Sequence, residues 1–186
     1  MTALLALVLA RLVVAQGQVV VAPESRLWIE GDSNFRAWSC EAQKAEAAVD
    51  LGKPAFSVQV PVAGFHCNED LLDGKLREAL KADRFPEISF SLESEERLPG
   101  APLRMRLTGS LTLAGQTGTV TFLAEVTPAP GGAFVARGSV PVLMSSYDVE
   151  PPSAMLGLVK AADLVTVNFE IHALLAAGRR LSRGDR

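Results

Sequence analysis

Apolar and polar residues alternate one for one along most of the chain. In the stretch 103–113, Leu103, Met105, Leu107, Leu111 and Leu113 share one parity, while Arg104, Arg106, Thr108, Ser110 and Thr112 take the other. Val120, Phe122, Ala124 and Val126 alternate with Thr119, Thr121, Leu123 and Glu125. Val165, Val167, Phe169 and Ile171 alternate with Thr166, Asn168, Glu170 and His172, and the same rhythm runs through Phe56, Val58, Val60 and Val62 and through Ile88, Phe90 and Leu92. Successive side chains of a strand point to opposite faces, so this rhythm predicts half-buried antiparallel strands. Turn chemistry separates them. Gly115 to Gly118 reads as a short hairpin loop, and 96–102 and 127–132 read as Pro/Gly loops.

One segment changes period. Leu72, Leu76, Ala79 and Leu80 recur at helical spacing and predict a helix over 69–82, with Asn68 as N-cap and Glu69 and Asp70 at its positive end. Gly74 is expected to split or shorten it, and Pro86 prevents its continuation. A second, shorter helical turn is expected over 153–160, after Pro151 and Pro152. Strands in this number must dispose of their edges. The expected architecture is therefore all-β, an antiparallel closed barrel of about eight strands with one inserted α-helix; a sandwich is the structural alternative.

Composition narrows the function. The chain has 186 residues, 48% of them apolar, enough for one domain with a sizeable core. A net charge of −3 argues against a nucleic-acid binder, whose affinity rests on neutralising phosphates. Two cysteines and two histidines leave no room for a zinc site of four thiolates, and no metal is expected. Residues 2–15 form an apolar segment too short to span a bilayer as a helix, and Val13-Val14-Ala15 before Gln16 fits a signal-peptidase site. Residues 1–15 are thus expected to be a cleaved signal peptide, 16–176 one barrel domain, and 177–186 a disordered tail carrying four arginines and one aspartate. The expected location is periplasmic or secreted.

Catalytic patterns are missing. There is no G-x-S-x-G elbow, phosphate loop, G-x-G-x-x-G turn or H-E-x-x-H helix, so no enzymatic activity and no cofactor are expected. His172 falls on the polar side of its strand and is expected to be solvated. His66, beside Cys67 and near Asp70, has no further ligand nearby in sequence. Two cysteines in an exported chain usually pair, and Cys40 and Cys67 are expected to form a structural bridge stabilising the fold by about 3–4 kcal/mol.

Several segments, taken in order, resemble the YceI-like family of secreted bacterial proteins. The stretch from Gly109 to Phe122 resembles its G-x-L-T-L-x-G-x-T-x-x-V hairpin, and Lys75 to Phe90 its helix followed by F/Y-P-x-I-x-F. Gly138 to Val149 is similar to its penultimate strand and turn, and Asp163 to Ile171 to its closing strand. The chain departs where many members carry His after Phe in the first long strand, since Arg36 follows Phe35 here, and many members lack the cysteine pair. The resemblance implies a lipocalin-like barrel holding a polyisoprenoid or isoprenoid-quinone-like lipid in an apolar tunnel. Strand parity and the resemblance together nominate Phe90, Leu92, Leu107, Leu111, Phe122, Val126, Val167 and Phe169 as tunnel-lining positions. The alternative is an exported, stress-related barrel with a filled core that binds a protein partner.

Overall fold

The computed structural model describes residues 18–43, 45–50 and 55–176. The expected signal segment and basic tail lie outside them. The alternating segments become strands β1 (Gln18–Val21), β2 (Arg26–Ser33), β3 (Trp38–Ala42), β4 (Glu46–Asp50), β5 (Ala55–Pro61) and β6 (Phe65–Cys67). After the helix α1 (Asp70–Ala79) come β7 (Glu87–Leu98), β8 (Leu103–Leu113), β9 (Gln116–Pro128), β10 (Ala133–Leu143), β11 (Ser153–Ala154) and β12 (Val159–Ala176).

All pairings are antiparallel and follow the order β4-β5-β7-β8-β9-β10-β12-β2-β3-β6, with β1 and β11 pairing β12. The path from β4 to β3 makes a nearly closed barrel of nine strands, and the three-residue β6 extends it. The all-β barrel with one inserted helix agrees with the expectation.

The helix fixes one end. Leu76 and Leu80 are buried against the barrel floor, together with Phe65, Val62, Met144, Tyr147 and Val149. Asp73 ties its first turn to β6, accepting the Cys67 amide at 2.7 Å and lying 3.1 Å from His66 Nδ1. The helix is shorter than 69–82, and Gly74 does not split it. Asn68 is not its cap. Glu69 holds that position without a side-chain bond, and the Asn68 amide oxygen instead accepts the Ser39 N–H. His66 faces Asp73, because one turn of helix turns Asp73 back toward the strand.

Two turns differ from the expected ones. The β8–β9 hairpin closes through Ala114 and Gly115 alone, both at positive φ (49° and 81°), with Leu113 opposite Gln116. Gly118 already lies in β9 and serves close approach, because a Cβ there would sit 2.9 Å from the Tyr147 hydroxyl. The expected helical turn over 153–160 is instead β11 followed by three residues at positive φ, Met155, Leu156 and Gly157. Such a run cannot continue a right-handed helix.

Candidate functional site

The strand register sorts every paired residue onto one of two faces. The buried Ile29, Cys40, Val60, Leu113, Ala124, Val140, Val142 and Val165 share one parity, which is the inward face. All eight nominated positions fall on it. Phe90 stands opposite Leu111 and Val58; Leu107 stands opposite Phe122; Val126 stands opposite Leu103. Leu92 faces Gly109, Val167 lies between Val140 and Ile29, and Phe169 lies between Gly138 and Leu27.

Three of these join into an aromatic belt. Phe90 and Phe122 meet edge to face at 5.7 Å between ring centres, and Phe122 and Phe169 do the same at 5.7 Å. The rings come from β7, β9 and β12, which are not neighbours, so each outer ring must cross an intervening strand. Glycine makes that crossing possible. A Cβ on Gly109 would lie 2.6 Å from the Phe90 ring, and one on Gly138 2.5 Å from the Phe169 ring. With hydrogen in place of a side chain, β8 and β10 let the rings lie along the wall.

Burial of the larger side chains along the inward face is graded, whereas the small Ala124 and Ala173 are buried even toward the mouth. Val60, Leu113, Val142 and Val165, near α1, are buried. All eight nominated residues, with Leu103, Met105, Ala136 and Ile171, are only half-buried. An inward apolar group that water-sized space still reaches has not been packed shut by its neighbours. The wall above the floor is therefore less completely covered than the floor, although Leu111, Phe122, Val167 and Phe169 still pack against the core.

β7 carries the exception to this apolar face. Its register with β8 shifts between Leu92 and Ser94, so Glu95 stands opposite Leu107 and Arg97 opposite Met105. A bulge adds one residue and reverses the parity beyond it. At the end away from α1, Glu95 and Arg97 are, among the described residues, the only charged groups at inward register positions of the barrel strands, and both are exposed; at the other end Asp163 keeps the parity of Val165 and accepts hydrogen bonds from Ser145. Sequence reasoning missed them. Glu96 and Arg97 fall in the stretch expected to be a Pro/Gly loop, where β7 in fact continues to Leu98, and a bulge leaves no mark on composition.

The outward face is charged and ordered. Arg104, Glu125, Arg137, Glu170 and Arg26 stand side by side on five consecutive strands. Arg137 grips Glu170 with two hydrogen bonds, at 2.9 and 3.0 Å, and Arg26 grips Glu41 at 2.7 and 2.9 Å. His172, expected to be solvated, is half-buried with Nε2 2.8 Å from Glu170. The Arg137 bonds, then His172, lower the Glu170 pKa to about 2. These groups fix strand register and show no nucleophile or proton relay.

Cys40 and Cys67 are directly opposed on β3 and β6 and joined by a disulfide. Among the described residues, no group of His, Cys, Asp or Glu is placed to hold a metal ion. A cleft of about 650 Å³ between the end of α1 and residues 145–153, and a pocket of about 140 Å³ beside His172 and Leu174, both lie apart from the nominated residues.

Residues 24–173 match the YceI-like domain family. Solved structures share the architecture. A Burkholderia cenocepacia protein, BcnA, superposes with a TM-score of 0.67 at 20% identity, covering 82% of this chain and 99% of its own. A polyisoprenoid binding domain from Saccharophagus degradans, implicated in plant cell wall breakdown, gives 0.67 at 10% identity, covering 86% and 99%. The Campylobacter jejuni YCEI protein gives 0.57 at 18%, covering 76% and 85%. No curated protein matches the sequence.

Proposed function

The chain belongs to the YceI-like family, and from that premise we propose that it is an exported binding protein, without catalytic activity, that holds a polyisoprenoid or similar long apolar chain inside its barrel. The observation that carries this reading is the half-buried inward wall, with Phe90, Phe122 and Phe169 in contact around it. Each methylene transferred from water to such a wall is worth about 0.8 kcal/mol, so a few isoprene units suffice for tight binding without a polar contact. The Saccharophagus degradans domain, which shares the fold and is described as polyisoprenoid binding, supports the same class of ligand. The apolar segment 2–15 and the cysteine pair support export.

The test is an organic extract of protein purified from its own host. Mass spectrometry is expected to find one isoprenoid species near equimolar amount, and Phe122→Asp is expected to remove it while the fold persists. A folded, lipid-free wild type, or a Phe122→Asp variant that retains the lipid, overturns the reading. Export is tested by N-terminal sequencing of mature protein, expected to begin at Gln16; a start at Met1 overturns cleavage.

A further inference from the structure

The bulge in β7 is a costly way to end a strand. A regular β7 would carry Ser94, Glu96 and Leu98 inward, in phase with Ile88, Phe90 and Leu92. The register shift turns Leu98 to the outside and puts Glu95 and Arg97 on the inward face, opposite the apolar Leu107 and Met105. Bulges re-aim side chains, and this one places an acid and a base at the open end of an otherwise apolar wall.

Resting on the lipid-binding reading above, we propose that Glu95 and Arg97 form a polar collar that receives the head of the bound lipid. The head is uncharged and carries both a hydrogen-bond donor and an acceptor, as an alcohol, an amide or a hydroquinone does. The pair has no net charge, and its two side chains lie on one face about 6.6 Å apart along the strand. Arg97 supplies only donors and ionised Glu95 only acceptors. A head with one group of each kind satisfies both. A phosphate or carboxylate head gains from Arg97 but meets repulsion from Glu95, and among the described residues no second inward cation offsets it. The neighbouring outward charges are already engaged, since Arg106 is paired with Glu96 on the far face of the same two strands. The geometry also sets polarity. The hydrocarbon end runs down past the aromatic belt toward the floor under α1, and the head stays at the mouth.

The experiment measures binding of two synthetic amphiphiles of one polyprenyl chain, the alcohol and its monophosphate, to wild type, Arg97→Gln and Glu95→Gln. Both sites are exposed, so the variants keep the wild-type far-UV spectrum and melting temperature. Wild type is expected to prefer the alcohol. Arg97→Gln weakens alcohol binding roughly three- to tenfold, as for loss of one hydrogen bond. Glu95→Gln weakens the alcohol and strengthens the phosphate, reversing or erasing the preference. Equal affinity for both amphiphiles in all three proteins overturns the collar while leaving lipid binding intact. Failure of both amphiphiles to bind wild type overturns the lipid-binding reading itself.

Discussion

Beneath α1, the inward residues Val60, Leu113, Val142 and Val165 are buried; toward the mouth, Leu103, Leu107, Val126 and Ile171 are half-buried, although the residue types are the same. What differs is the stopper. At the floor, Leu76 and Leu80 of the helix and Met144 and Tyr147 of the turn after β10 reach over the strand ends and complete the packing. Nothing comparable covers the mouth among the described residues, where β7 instead brings in Glu95 and Arg97. Alternating hydrophobicity thus builds the wall, and separate, non-alternating segments decide how deeply its larger side chains are buried.

The sharpest way to break this contrast is to remove one large side chain from each end. Phe65 is 1% exposed, and Phe65→Ala is expected to cost about 3–5 kcal/mol by urea denaturation. Val126→Ala, at the mouth, is expected to cost less than about 1 kcal/mol, because its neighbours already leave it partly open. A loss at Val126 as large as that at Phe65 would mean the mouth is packed at least as tightly as the floor. Next in size is the disulfide, which closes a loop over a separation of 27 residues and holds β6, and through Asp73 the helix, to the barrel. A Cys40→Ala, Cys67→Ala double variant is expected to lose about 3–4 kcal/mol. Loss of less than about 1 kcal/mol would show that the floor stands without the bridge.

A third variant targets the wall between the ends. Gly138→Ala places a Cβ 2.5 Å from the Phe169 ring and 2.6 Å from the Leu123 carbonyl oxygen. The strand and ring must shift, at an expected cost of about 1–3 kcal/mol, and the displaced ring narrows the bore. Copurified lipid is expected to fall with stability. Gly131→Ala meets no atom within 4 Å but sits at φ 75°, so it reports backbone strain alone and should leave lipid content unchanged. Matching lipid loss in both would remove the belt from the account.

The wall is legible in the sequence because strand parity is a local property. Phe90, Phe122 and Phe169 declare their face by their immediate neighbours, and the register then brings them together. Their contact depends on Gly109 and Gly138, two strands' worth of sequence away, which periodicity records only as gaps. The parity reversal in β7 was invisible for a related reason: Leu92 and Leu98 remain six residues apart, in apparent phase, while the bulge between them moves Leu98 to the opposite face. The same limit explains residues 153–160. Pro151, Pro152 and an apolar run suggest a helix, but pairing of Ser153 and Ala154 with the start of β12 dictates a tight left-handed turn.

The smallest expected effect lies on the outer face, where it tests whether the charge row serves only register. Glu170 has its pKa lowered from 4.5 to about 2, first by the Arg137 hydrogen bonds and then by His172. A carboxyl whose folded pKa is depressed contributes its full stabilisation above its unfolded pKa and loses it as pH falls through the folded value. The Glu170 contribution is therefore complete above about pH 4.5 and disappears between there and about pH 2. Glu41 and Asp163 are shifted in the same direction, by Arg26 and Ser145, so wild-type stability declines across this window even without Glu170. Glu170→Gln should accordingly leave a shallower acid slope, not a flat one, with the two curves converging toward pH 2. Both ends of the barrel should respond alike, because Arg137 and Glu170 lie midway along β10 and β12. Curves that stay parallel from pH 5 to pH 2 would show that the pair contributes no net stability, and the row would then act only by excluding misregistered pairings.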